Sequence, residues 1–161
     1  MDKETIQYVE EIFYKKILHY NDLRAVFQRE KTALIDLDMD VLWDVSREKE
    51  ELCATIEGIR QKLFSIFSEP GIGDVSSLMQ VLDLLPIENR AQFQPLYHSI
   101  SRLKGEIDAM RKENMSHVDS SLEFLDEIIT VIAGGDQNQS TYDNRSRLRK
   151  PANAALLSRE V

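Results

Sequence analysis

The chain has 161 residues, 42% of them hydrophobic, which is enough for one domain with a buried core. Its formal net charge is −8, unevenly spread: residues 134–161 hold five Lys/Arg against three Asp/Glu, so the preceding 133 hold 15 against 25. A body at −10 argues against nucleic-acid binding, which needs cations to displace phosphate counterions, and no apolar run approaches the ~20 residues that cross a bilayer.

The opening stretch MDKETIQYVEE has no basic start followed by an apolar block, so no export signal is expected and the cytoplasm is the predicted location. From Ile6, apolar residues recur at Val9, Phe13, Ile17, Tyr20, Leu23, Phe27 and Leu34, steps of three and four with one of seven, the spacing of a single face of one long helix. A second stripe runs through Leu42, Val45, Leu52, Ile56, Ile59, Leu63 and Ile66, with Lys49 where one beat is missing. Between them LIDLDMD offers Asp36 or Asp38 as an N-cap. A tight turn making an antiparallel hairpin buries more surface than one rod would.

SEPGIGDVSS stops the second helix with Pro70, Gly71 and Gly73, and SSLMQVLDLL reads as a short amphipathic helix ending at Pro86. A third long stripe follows: Phe93, Leu96, Ile100, Leu103, Ile107, Met110, then the polar Asn114, His117 and Ser121, then Phe124, Ile128 and Val131. Pro95 is placed in the first turn of this helix, where a missing N–H costs nothing. The predicted fold is all-α: an elongated antiparallel helical bundle or coiled coil of three long helices with a short connecting helix, residues 1–133, and a flexible C-terminal tail, 134–161. The polar break has two readings. It sets helix register, as a buried Asn does in coiled coils, or it marks an incompletely filled groove for a partner's helix.

Catalytic chemistry finds no footing. A di-metal carboxylate bundle needs Glu three residues before His, yet Lys16, Pro95 and Asn114 precede His19, His98 and His117 at that spacing. There is no nucleophile elbow and no phosphate-cradling loop, and GIG is read as a turn. The single Cys53 excludes an internal disulfide and is read as a small buried apolar side chain. No enzyme activity, cofactor or metal is expected. HSISRLKG invites comparison with histidine phosphotransfer domains, which carry Lys and Gly three and four residues after the histidine. Here Arg102 stands at +4, and Lys104 and Gly105 at +6 and +7, so the spacing departs from that motif and the signalling module is kept only as the alternative.

The block REKTALIDLDMDVLWDVSREKEELCATIEGIRQKLFSIF, through Glu30, Lys31, Leu34, Asp38, Leu42, Glu48, Lys49 and Leu52, resembles the middle of the FlgN-type flagellar export chaperones. Asn114 ahead of SLEFLDEII and the later STYDNRSR are also similar to that family. Where members often have Gly four residues after the tyrosine, this chain has Ser146 after Tyr142. The resemblance implies a cytoplasmic chaperone that binds the hook-filament junction proteins (FlgK/FlgL-like), keeps their C-terminal helices from associating, and delivers them to the flagellar type III export gate without ATP or metal. In that setting the tail becomes a candidate client-binding segment: Pro151 at a helix start, then Ala152, Ala155, Leu156 and Arg159 at i, i+3, i+4 and i+7, with Leu157 beside them and Leu148 upstream. Tyr142 and Asp143, in the part similar to the family's tyrosine turn, are the candidate contact with the export machinery.

Overall fold

The computed structural model describes residues 1–68 and 75–132. Four helices follow one another: α1 (Lys3–Asp36), α2 (Met39–Phe67), α3 (Leu78–Leu84) and α4 (Ile87–Ile132), with no strand among the described residues. The chain divides into two compact units, Met1–Asp119 and Ser120–Val161. The second is described only through Ile132, so the expected tail, 134–161, lies outside the described residues, as do Pro70, Gly71 and Gly73.

In the first unit, α1 starts where Asp2 accepts a hydrogen bond from the Thr5 backbone N–H at 2.7 Å, satisfying one orphan donor of the first turn. Thirty-four residues without Gly or Pro then run unbroken. The helix ends at Leu37, which adopts the left-handed conformation (φ 55°) while the Asp38 N–H reaches back to the Ala33 carbonyl at 3.0 Å. A branched residue there costs about 1–2 kcal/mol against a relaxed backbone, because its Cβ crowds the following carbonyl. Of the two aspartates offered by the sequence, Asp38 caps α2, accepting from the Val41 N–H at 3.1 Å, and Asp36 closes α1.

The turn folds α2 back antiparallel to α1. The end of α2 (Leu63, Phe67) shares a core cluster with the start of α1 (Val9, Phe13), and Leu52 and Ile56, nearer the turn, pack with Leu23 and Phe27. Arg29–Glu48 (2.6 Å) and the adjacent Lys49–Glu30 pair join the two helices closer still to the turn. Helix α4 lies beside α1 in the same direction: Arg24–Glu106 (2.8 Å) and Lys31–Glu113 (2.7 Å) share one offset along the two helices, and Phe13 meets Phe93 edge-on at 5.3 Å. The core gathers Val9, Phe13, Leu63, Val81, Leu85, Phe93 and Ile100. A second cluster of Leu23, Phe27 and Ile107 is flanked by Leu52, Ile56 and Met110. Flanked by two helices, α1 buries a wider face than the expected stripe, adding Ile12, Lys16, Val26 and Ala33.

Helix α3 opens with a capping box in which the Gln80 N–H donates to Ser77 Oγ (3.2 Å) and Gln80 Oε1 accepts from the Ser77 N–H (3.1 Å). The third long helix begins at Ile87, directly after Pro86, so Pro95 sits inside α4 rather than in its first turn. The break comes at Pro86 because a proline drives the residue before it out of the helical region, and Leu85 is extended (φ −69°, ψ 145°). Arg90 holds that ending by donating to the carbonyls of Leu85 (3.0 Å) and Asp83 (2.5 Å). Pro95 leaves one helical carbonyl without its donor, a cost that an exposed position on a long, well-packed helix tolerates.

Candidate functional site

The mostly apolar seam between α1, α2 and α4 holds two buried polar residues, Lys16 and Asn114, and Asn114 is the centre of a polar knot. Asn114, 4% exposed, donates through Nδ2 to the Phe27 carbonyl at 3.0 Å and to Glu30 Oε2 at 2.9 Å. The other oxygen of Glu30 accepts from Lys49, whose ammonium also stands 5.1 Å from the centre of the Phe27 ring. One carboxylate therefore ties all three long helices, and the beat missing from the second stripe at Lys49 is the place where the tie is made. Glu30 and Lys49 are half-buried, and charges withdrawn that far from water are held by such partners. Asn114 thus takes the register reading, whereas His117 is half-buried and Ser121 exposed. Around the knot, Lys31 holds the Glu113 carboxyl below its ordinary range by hydrogen bonding to its charged form, and Arg24 does the same for Glu106.

Lys16 is the second buried polar residue, 3% exposed, with its ammonium 5.9 Å from the Tyr20 ring centre. Burial, helped by the nearby Lys104 and Arg60 charges, pushes its pKa down to about 8. Burial, with smaller contributions from the nearby Cys53 and Glu57, raises the Tyr20 phenol against the opposing pull of Arg60.

The second unit differs. Along Ser120–Ile132 the last turns of α4 expose Leu122 (60%), Phe124 (62%), Leu125 (52%), Ile128 (37%), Ile129 (62%), Val131 (78%) and Ile132 (79%). The row 122, 125, 129, 132 and the row 124, 128, 131 adjoin on an α-helix, so these side chains form one broad apolar face. Glu123, Asp126 and Glu127 stand along the remainder of the circumference, and no Lys or Arg occurs between 120 and 132. An uncovered apolar face of this breadth, edged by one sign of charge, is the character of a surface that receives another helix. Phe124, Ile128 and Val131, expected to extend the third core stripe, are therefore not core. Periodicity identifies an apolar face but does not say what covers it.

A smaller apolar group stands in the first unit at the α1–α2 turn, where Ile35, Leu37, Met39 and Trp43 are 59%, 72%, 60% and 72% exposed. No sequence signal separated them from core positions, since a turn that interrupts two stripes also interrupts their phase.

Cys53 is exposed, not a buried apolar side chain, because α2 turns its neighbour Leu52 toward α1 and leaves residue 53 facing outward. His98 is exposed on α4, against the edge of Tyr97, with Arg102 one turn on engaged by Glu106. Among the described residues no cluster of three or more His, Cys, Asp or Glu is arranged to hold a metal, and no helix is long and apolar enough to cross a membrane. The candidate client-binding residues Leu148, Ala152, Ala155, Leu156, Leu157 and Arg159, and the candidate export contact Tyr142 and Asp143, lie outside the described residues.

Compared with known families, residues 1–150 match the family described as FlgN protein. The matched span takes in the three-helix knot, the exposed face of α4 and Tyr142–Asp143, and it lends no support to the phosphotransfer alternative. No curated protein and no solved structure gives a match.

Proposed function

We propose, from the premise that this chain belongs to the FlgN protein family, that it is a flagellar export chaperone acting by binding alone. The observation that carries the reading is the uncovered apolar face of α4 between Leu122 and Ile132. A secreted subunit held unassembled exposes an amphipathic helix whose own partner is absent, and a helix anchors on such a face through residues spaced three and four apart. Each large apolar side chain covered contributes about 1.5–3 kcal/mol before the losses of association, so two or three anchors suffice for a complex that forms and later releases.

The clients are junction proteins of the hook and filament, FlgK/FlgL-like, captured in the cytoplasm and handed to the type III export gate. Division of labour follows the domain proposal of a helical body, 1–133, and a tail, 134–161. In the tail, Leu148 and the patch Ala152, Ala155, Leu156, Leu157 and Arg159 close over the client from the other side, while Tyr142 and Asp143 meet the export machinery. Neither step needs a cofactor.

Calorimetry with a junction protein, paired with secretion of that protein by cells, tests the assignment. Replacing Leu156 and Leu157 together with Asp is expected to weaken client binding about tenfold or more. Tyr142→Ala is expected to preserve affinity and reduce secretion. Full affinity in the double-leucine variant, with loss of binding in the tyrosine variant, would reverse the two assignments, and no binding of any junction protein by the native chain would end the proposal.

A further inference from the structure

An apolar face as broad as that of α4's last turns does not remain wet at low cost when a complementary segment of the same chain is within reach. Residues 145–150, RSRLRK, place four cations among six residues around Leu148, with Leu156 and Leu157 close behind. The face they would meet has Asp126 and Glu127 at its two edges, Glu123 on the far side of the helix between them, and no Lys or Arg of its own from 120 to 132. We propose that in the client-free protein this basic segment folds back onto the apolar face of α4 between Leu122 and Ile132, covering it until a client displaces it.

Reach permits this. Twelve residues, 133–144, separate Ile132 from Arg145 and can span up to ~40 Å, against ~15 Å for the face along the helix axis. Gly134 and Gly135 stand directly after the last turn, where a chain reversing off a helix most often needs a residue free of the Cβ penalty. Tethering sets an effective concentration in the millimolar range, so an intrinsic dissociation constant of about 0.1 mM keeps the face covered most of the time and lowers apparent client affinity about tenfold.

Charge selects this occupant over a second copy of the face. Two copies would bring Asp126 and Glu127 against their own kind, whereas 145–150 brings the opposite sign. Only the client's part in this exchange rests on the chaperone reading. The cover itself is a property of the free chain, and its test contains no client.

The test is amide hydrogen exchange across residues 122–132 in three full-length proteins: the native chain, a variant with Arg145, Arg147, Arg149 and Lys150 each changed to Glu, and that variant with Glu123, Asp126 and Glu127 also changed to Lys. The first variant is expected to lose protection about tenfold and the second to recover it, with the thermal transition of Met1–Asp119 unchanged in both. Equal exchange in all three overturns the proposal. Protection that rises with protein concentration, with dimers in sedimentation velocity, also overturns it by assigning the cover to a second copy.

Discussion

The segment of α4 from Phe93 to Asn114 and the segment from Leu122 to Ile132 carry the same apolar spacing on one uninterrupted helix, and they do opposite things. In the first, Phe93, Ile100 and Leu103 are fully buried against α1 and its neighbours. In the second, seven apolar side chains stand open. The lesson is in the charges. Along the first segment every few turns bring a cross-helix pair, Arg24–Glu106 and then Lys31–Glu113, ending in the Glu30–Lys49–Asn114 knot. Along the second there are acids without cations. Opposite charges placed on different helices report that those helices are partners.

Three perturbations break or sharpen this contrast, in descending size. Phe13→Ala removes a wholly buried ring that meets Phe93 edge-on and should cost about 3–5 kcal/mol in denaturant unfolding, whereas Phe124→Ala should cost no more than about 0.5 kcal/mol. Equal losses would mean that the end of α4 is packed as tightly as its middle. Glu30→Ala should cost about 2–3 kcal/mol, since it strands the Lys49 ammonium and one Asn114 N–H in a largely dry seam. Glu123→Ala should change little, and a comparable loss there would place a hidden cation beside that carboxylate.

Lys16 supplies the third, smaller effect, read through pH. Its pKa in the fold is about 8 against 10.5 for the free side chain, so the fold disfavours the charged form. Between these values the unfolded chain binds more protons than the folded one, and stability rises as pH rises from about 8 toward 10.5. Below pH 8 both states hold the proton and the penalty is constant. Lys16→Met should therefore add about 2 kcal/mol near pH 7 and flatten that rise. A native-like pH profile in the variant would assign the slope to a group other than Lys16. Tyr20 is not that group, because a phenol whose pKa is raised by folding makes stability fall as pH rises.

Much of the first region was legible from spacing and charge. Val9, Phe13, Leu23 and Phe27 follow a helical period, the aspartates of LIDLDMD announce a turn, and SSLMQ carries a capping box in its order of residues. What escaped were properties that depend on which face meets which helix. Lys16 is buried because α1 has neighbours on two sides. Cys53 is exposed because α2 has only a narrow buried stripe. Pro95 is tolerated mid-helix because packing outweighs one missing hydrogen bond. The open face was visible as a pattern but not as open, since apolar spacing is identical whether a partner lies in the same chain or in another. Only the run of Glu123, Asp126 and Glu127 without a cation distinguished it.

The proposal with most at stake is that the exposed apolar face of α4 between Leu122 and Ile132 holds a client helix. Calorimetric titration of a junction protein's C-terminal helical segment into the full-length chain, native and with Leu122 and Ile129 both changed to Asp, tests it most directly. The account predicts at least about a hundredfold weaker binding by the variant, with its helicity and unfolding midpoint unchanged, because two anchors worth about 1.5 kcal/mol or more each are lost. Undiminished affinity in a variant that folds as the native chain does would contradict it.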